Sequence, residues 1–312
     1  MAATFGVTCG GDLWPADDIR AVEELGYDGF FTGEHIVYHR PILEAVTTLA
    51  FAAAVTSRIR IGPATLLLPL RHPTIVAKEF SCLDVLSGGR VVLTVGVGGD
   101  YPREFESCGV PLRDRGRRAT EALEIIRKYW SGERFDHAGE IFRLRDVDML
   151  PTPVQPGGIP IWVSGRREGP MRRAARLGDG WHPYMYTPER CRISFQQVKE
   201  YAAQAGRTLP GDYVWAVFVY TALDDDPAEA RRRAVHEMSY RYDQDFGELV
   251  EKYCAYGPPG RLIDYLAPYV EAGVNTFILA PVMPPEHRRR HLERLAAEVL
   301  PALRDMEPAA VA

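Results

Sequence analysis

The chain has 312 residues, 46 % of them apolar and 25 % charged, with a formal net charge of −5. A chain of that size and make-up can bury a large core, and its acidic balance argues against a nucleic-acid binder. No apolar stretch is long enough to cross a bilayer, and five cysteines without a Cys-x-x-Cys fit free thiols in a reducing, cytoplasmic setting, as does an N-terminus lacking the features of an export signal.

Strand-like and helix-like segments alternate along the chain. Thr4–Thr8 predicts a first strand and Pro15–Leu25 a helix, entered by Pro and ended by Gly26. Asp28–Thr32 is a second strand, Pro41–Val55 an apolar helix, Arg58–Leu68 a buried third strand, and Pro73–Leu86 a helix closed by Ser87-Gly88-Gly89. Arg90–Val97 is a fourth strand and Arg117–Trp130 a helix. Ser131–Gly158, rich in Gly, Pro and charge, reads as an insertion carrying short irregular or strand-like pieces. Ile159–Val163, Gly180–Tyr184, Tyr213–Ala222 and Thr276–Ala280 complete the strands. Gly169–Leu177, Pro188–Ala205, Pro227–Tyr240, Gly260–Ala272 and Pro285–Leu303 read as helices. Residues 240–256 suggest no role.

Eight strands in regular alternation with helices imply a parallel sheet that can close. The expected fold is α/β, a (β/α)₈ TIM barrel forming one domain over residues 1–312, with the insertion before the fifth strand and a frayed Ala-rich tail over 307–312. An open doubly wound sheet is the rival, but Gly96-Val97-Gly98-Gly99 does not complete G-x-G-x-x-G and follows the fourth strand, not the first. The basic clusters Arg231–Arg233 and His287–His291 read as solvated helix faces.

In a parallel barrel, chemistry sits on the loops after the strands. Glu34-His35 follows the second strand. A carboxylate beside an imidazole can orient the ring and move a proton; equally, the pair can be a helix cap and a core-edge histidine. Gly62-Pro63-Ala64-Thr65 ends the third strand, where Pro removes a ladder donor, so the strand bulges toward the pocket or stops. Gly96-Val97-Gly98-Gly99-Asp100 follows the fourth strand and either lets a flat ligand approach the backbone or makes a tight loop. Ser164-Gly165-Arg166-Arg167 precedes a helix and offers free N–H groups and cationic donors to a phosphate; a solvated turn is the plainer reading. His35/His39 and His287/His291 have i, i+4 spacing without a third ligand nearby, so no metal site is expected.

Several of these segments belong to a longer pattern. Pro69-Leu70-Arg71-His72-Pro73, Leu83-Asp84-Val85-Leu86-Ser87-Gly88-Gly89-Arg90, Val95-Gly96-Val97-Gly98, Glu104-Phe105, Pro151-x-Pro153-Val154-Gln155, Pro160-Ile161-Trp162-Val163 and Gly178-Asp179-Gly180-Trp181 resemble the signature of luciferase-like monooxygenases. The pattern covers roughly residues 4 to 190 and is most similar to the coenzyme-F420-dependent branch.

The resemblance implies an oxidoreductase barrel, often a homodimer, with a flavin or deazaflavin across its mouth. It implies a non-proline cis peptide at Ala64–Thr65, Glu34 and His35 as the catalytic pair with Glu34 also at the cofactor, Val97 and Gly98 as the glycine loop, and Ser164, Gly165, Arg166, Arg167, Gly169 and Pro170 around phosphate. The expected activity is F420-dependent hydride transfer to or from a small organic substrate, with a separate cofactor reductase as a further partner. The alternatives are a reduced-FMN monooxygenase and a non-catalytic flavin-binding barrel. Two departures argue against sugar-phosphate oxidation. Gly99 stands where such relatives place a glutamate, and His182–Thr187 contains no lysine.

Overall fold

In the computed structural model, which describes residues 2–309 and 311, strands and helices alternate from the start. β1 (Thr4–Thr8), α1 (Ala16–Glu24), β2 (Gly29–Thr32), α2 (Ala45–Val55), β3 (Arg60–Pro63), β4 (Leu66–Leu67), α3 (Pro73–Ser87) and β5 (Leu93–Gly96) come first. The short α4 (Pro102–Ser107) and the long α5 (Arg115–Trp130) follow, then β6 (Phe135–Ala138) and β7 (Arg143–Val147). β8 (Ile161–Ser164), α6 (Glu168–Leu177), β9 (Gly180–His182), α7 (Pro188–Gln204), β10 (Val214–Leu223) and α8 (Pro227–Tyr242) come next. The chain ends with α9 (Leu249–Tyr253), β11 (Cys254–Gly257), α10 (Pro259–Glu271), β12 (Thr276–Pro281), α11 (Arg288–Arg294) and α12 (Leu300–Arg304).

The main sheet runs β3-β2-β1-β12-β10-β9-β8-β5-β4, every pairing parallel. Its two ends are the two halves of the expected third strand, broken after Pro63. An isolated parallel bridge between Ile61 of β3 and Val91, just ahead of β5, brings β3 back to the other end, so the sheet all but closes into a barrel. Side chains alternate along each strand. Phe31, Val92, Trp162 and Ile278 fill the lumen, while Phe5, Val7, Phe30, Ile61, Leu93, Val163, Trp181 and Phe277 pack outward against the helices. β6 and β7 form an antiparallel hairpin off the barrel, within the expected insertion.

Local chemistry sets the helix ends. His72 caps α3 by accepting from Thr74 N, Pro73 stands at its first turn, and Gly88 ends it at φ 70°. Much of the shared sequence pattern serves this frame. Buried Asp84 accepts from the Val154 and Gln155 backbone N–H groups and from Gln155 Nε2, tying the end of the insertion to α3. Arg90 donates to carbonyls of Ala53, Thr56 and Ile59, sealing the end of α2.

Three features depart from expectation. β11, within the stretch that suggested no role, adds a parallel strand to β10 over Tyr220–Leu223. β10 is ten residues long and pairs with β9 only at Val214 and Trp215, so its far half has a free ladder edge that β11 fills. The last helix breaks into α11, a π turn at Leu295–Val299 and α12, just before the N–H-lacking Pro301. The tail expected to fray is in part held: Ala309 N donates to Val270 O, and Lys199 Nζ to Val311 O at 2.7 Å. Ala310 and Ala312 of that tail lie outside the described residues. Among the described residues, no helix is long and apolar enough to cross a membrane.

Candidate active site

The loops leaving the C-terminal ends of β2, β4, β5, β8 and β9 gather the predicted residues at one end of the barrel. Glu34 follows β2 and is buried, its side chain fully covered. Its carboxylate accepts from Leu67 N and from the Arg71 guanidinium, which reaches it through both Nε and Nη2. Arg71 also binds Glu44 Oε1 at 2.6 Å and lies 3.8 Å from Glu79. Burial pushes the Glu34 carboxyl up; the Arg71 charge and the Leu67 N–H oppose that. The fork-shaped guanidinium suits this position because it meets several carboxylates at once.

Glu34 therefore does not orient His35. The imidazole turns to a different carboxylate: His35 Nδ1 lies 3.0 Å from Glu104 Oε2. Glu104 Oε1 accepts from Ile36 N at 2.6 Å, so one buried carboxylate holds both the ring and the backbone beside it. In the tautomer whose Nδ1 donates to this carboxylate, Nε2 is left bare. Nε2 has no partner among the described residues, and the side chain is 27 % exposed. That is the arrangement of a general base, or of a general acid once protonated. Glu104 and Arg71 lay inside quoted motifs, but their spacing from Glu34 and His35 gave no hint of the contacts.

The cofactor positions implied by resemblance also converge. Ala64–Thr65 is a cis peptide, and Ala64 N donates to Thr32 O at 2.7 Å. Glu34 anchors the far side of this bulge through Leu67 N. Gly96, opposite, has no room for a side chain: a Cβ there would lie 2.5 Å from Thr65 Oγ1. Val97 and Gly98 continue from it, Gly98 in the left-handed region at φ 60°. Ser164 ends β8; Gly165 has φ 141°, and a Cβ there would meet Pro170 Cγ at 2.5 Å. Arg167 is the N-cap of α6 with no side-chain cap, leaving the helix's first N–H groups, near Gly169 and Pro170, for another acceptor. Arg166 lies over the Tyr184 ring at 4.5 Å, and the Tyr184 hydroxyl donates to Asp100 at 3.1 Å. A backbone surface without side chains beside an anion-ready helix start fits a flat ring with a phosphate tail.

The members of each i, i+4 histidine pair lie in different surroundings. His291 is in the core, its Nε2 3.0 Å from Thr221 Oγ1, whereas His287 is exposed; His39 turns to Tyr240 O. Buried His182, at the end of β9, has no partner for either ring nitrogen among the described residues, and burial pushes it down to about 3.

Comparison with known proteins shows the family. The family model for luciferase-like monooxygenases matches residues 16–276. An uncharacterized protein of Mycobacterium tuberculosis, Rv0940c, is 38 % identical over 171 residues, 55 % of this chain and 58 % of that protein. The chain thus matches little more than half the length of that relative. An F420-dependent glucose-6-phosphate dehydrogenase of Kineococcus radiotolerans is 27 % identical over 93 % of this chain and 92 % of its own. Among solved structures, an F420-dependent secondary alcohol dehydrogenase superposes with a TM-score of 0.85 at 19 % identity, covering 97 % of this chain and 99 % of that one. The monooxygenase RslO1 of Streptomyces bottropensis does so at 0.83 and 24 %, covering 96 % and 99 %. These solved structures share the fold, and with the match over residues 16–276 the chain belongs to the luciferase-like monooxygenase family.

Proposed function

We propose that this protein transfers hydride between coenzyme F420 and a small organic substrate, with His35 moving the accompanying proton. The observation that carries the reading is the His35–Glu104 pair, with its unpartnered Nε2, on a loop beside the glycine-lined bulge. The F420-dependent relatives support the choice of cofactor. The backbone at Ala64 and Thr65 would back the ring, with Glu34 fixing that backbone. Val97 and Gly98 would lie along its edge, and Ser164, Gly165, Arg166, Arg167, Gly169 and Pro170 would hold phosphate. When bound, the deazaflavin supplies or takes up the hydride; the protein contributes orientation and electrostatics. His35 Nε2 accepts the substrate's hydroxyl proton in the oxidising direction and returns it in the reducing one. Glu104 stabilises the imidazolium that forms.

The substrate in this reading carries no phosphate. The loop after β9 offers Tyr184, Met185 and Tyr186 and no lysine, and Asp100 beyond the glycine loop accepts from Tyr184. The reading includes a cytoplasmic homodimer acting as one domain per chain, and a separate reductase to renew the cofactor. Exposed Phe51 on α2 and Ile75 and Leu86 on α3 offer an apolar face for the dimer. A reduced-FMN monooxygenase is the rival, because the monooxygenase RslO1 shares the fold as the F420-dependent alcohol dehydrogenase does. His35→Ala tests the proton-transfer role. Turnover should fall by about 10²–10⁴-fold while F420 affinity stays within a few fold; unchanged turnover would remove His35 from the chemistry.

A further inference from the structure

The ring of His35 is held by more than Glu104. Tyr38 lies parallel to it, with ring centroids 3.7 Å apart and planes 6° from parallel. One hydrogen bond at Nδ1 leaves an imidazole free to pivot about that contact. A second ring stacked on its face removes that freedom, because it fills the space the imidazole would sweep through.

Tyr38 is in turn fixed at its far end. Its hydroxyl donates to Arg241 O at 2.8 Å, and burial raises the phenol, keeping it a donor. Two residues are left in α8 after Tyr240, so the carbonyls of Tyr240 and Arg241 belong to its last turn, where helical partners run out. His39 Nε2 takes the other, 3.1 Å from Tyr240 O. The 35–40 loop is thus docked by two side-chain donors on the negative end of α8. Arg241 is itself tied across the mouth, its Nη2 donating to Pro281 O at 3.2 Å and lying 3.5 Å from Asp12. Tyr101 closes against the Tyr38 ring edge-on at 5.4 Å. Together these contacts surround one ring plane.

We propose that Tyr38 is a positioning residue for His35: its ring, stacked face to face on the imidazole, fixes the plane in which Nε2 faces the substrate. The assignment rests on reading His35 as the proton-transfer group, but its geometry is testable without substrate. Full-length protein labelled with ¹⁵N-histidine would be compared as wild type, Tyr38→Phe and Tyr38→Leu, using long-range ¹⁵N–¹H spectra of the His35 ring. The wild type should show one sharp set with Nδ1 protonated, Nε2 bare and ring protons shifted upfield by the stacked phenol. Tyr38→Phe keeps the ring and should keep that pattern. Tyr38→Leu keeps apolar bulk without the ring and should lose the upfield shift, with the ring signals broadened as the imidazole pivots about its Glu104 contact. Ring signals as sharp in Tyr38→Leu as in the wild type would overturn the proposal. So would the same broadening in Tyr38→Phe, because the hydroxyl and not the ring would then do the positioning. F420 titrated into the same samples separates the two ideas. Failure of the wild type to bind it would overturn the functional reading, whereas the ring pattern alone decides the role of Tyr38.

Discussion

Removing the Arg71 guanidinium tests how the ring-backing bulge is held. The Glu34 side chain is fully covered, and its partners are Leu67 N and Arg71. Arg71→Met keeps most of the apolar stem and deletes the charge. It leaves a buried carboxylate with one backbone donor, and Glu44 and Glu79 lose the cation between them. Breaking a buried pair from one side costs about 3–5 kcal/mol. Part of that is recovered if Glu34 takes up a proton, the direction in which burial already pushes it. Glu34→Gln removes the charge but keeps an oxygen for Leu67 N, and should cost about 1–3 kcal/mol. The double variant no longer buries an unpaired charge, so it should be more stable than Arg71→Met alone. Urea unfolding of all four proteins gives the coupling directly. A loss below about 1 kcal/mol in Arg71→Met, or additivity within about 0.5 kcal/mol, would refute the claim that this pair holds the bulge.

Glu104→Gln should lower turnover more than cofactor affinity, because the carboxylate touches His35 and not the implied cofactor loops; equal losses in both would contradict this. Arg167→Ala should weaken F420 binding by roughly tenfold or more, and the loss should shrink at high salt. An unchanged Kd places the phosphate elsewhere. His182 and His291 are both buried, and burial pushes each from 6.5 to about 3. Between those values the unfolded chain binds protons that the folded one does not, so stability falls as pH drops below 6.5. From pH 6.5 to 5 each histidine should account for a loss of about 2 kcal/mol. His182→Phe should remove one share of that slope in urea melts; an unchanged slope would show that His182 does not resist its proton.

The barrel was legible because its signals are local. Proline and glycine mark the ends of α3, and short strand-like runs alternate with helix-like segments along the chain. The break at Pro63 followed from a missing N–H, and Ala64–Thr65 was identified through the family pattern. The partners of the site residues were not legible. His35 and Glu34 are adjacent in sequence, which invited pairing them, yet successive residues at a strand end point different ways. Glu34 turns to Arg71, 37 positions on, and His35 to Glu104, 69 positions on. β11 escaped notice because its four residues, Cys254–Gly257, carry too short a pattern, and the free edge of β10 that recruits them exists only in three dimensions.

The central claim is that a deazaflavin and His35 perform hydride and proton transfer without oxygen. It is tested most directly by titrating purified protein with F420 and with FMN. Reduced F420 and reduced FMN are then supplied in turn with a panel of small ketones, under air and under argon, and product and oxygen uptake are measured together. The account predicts F420 binding and product formed equally well under argon, with no oxygen consumed in proportion to it. Strict dependence on oxygen with reduced FMN, together with no binding of F420, would contradict it.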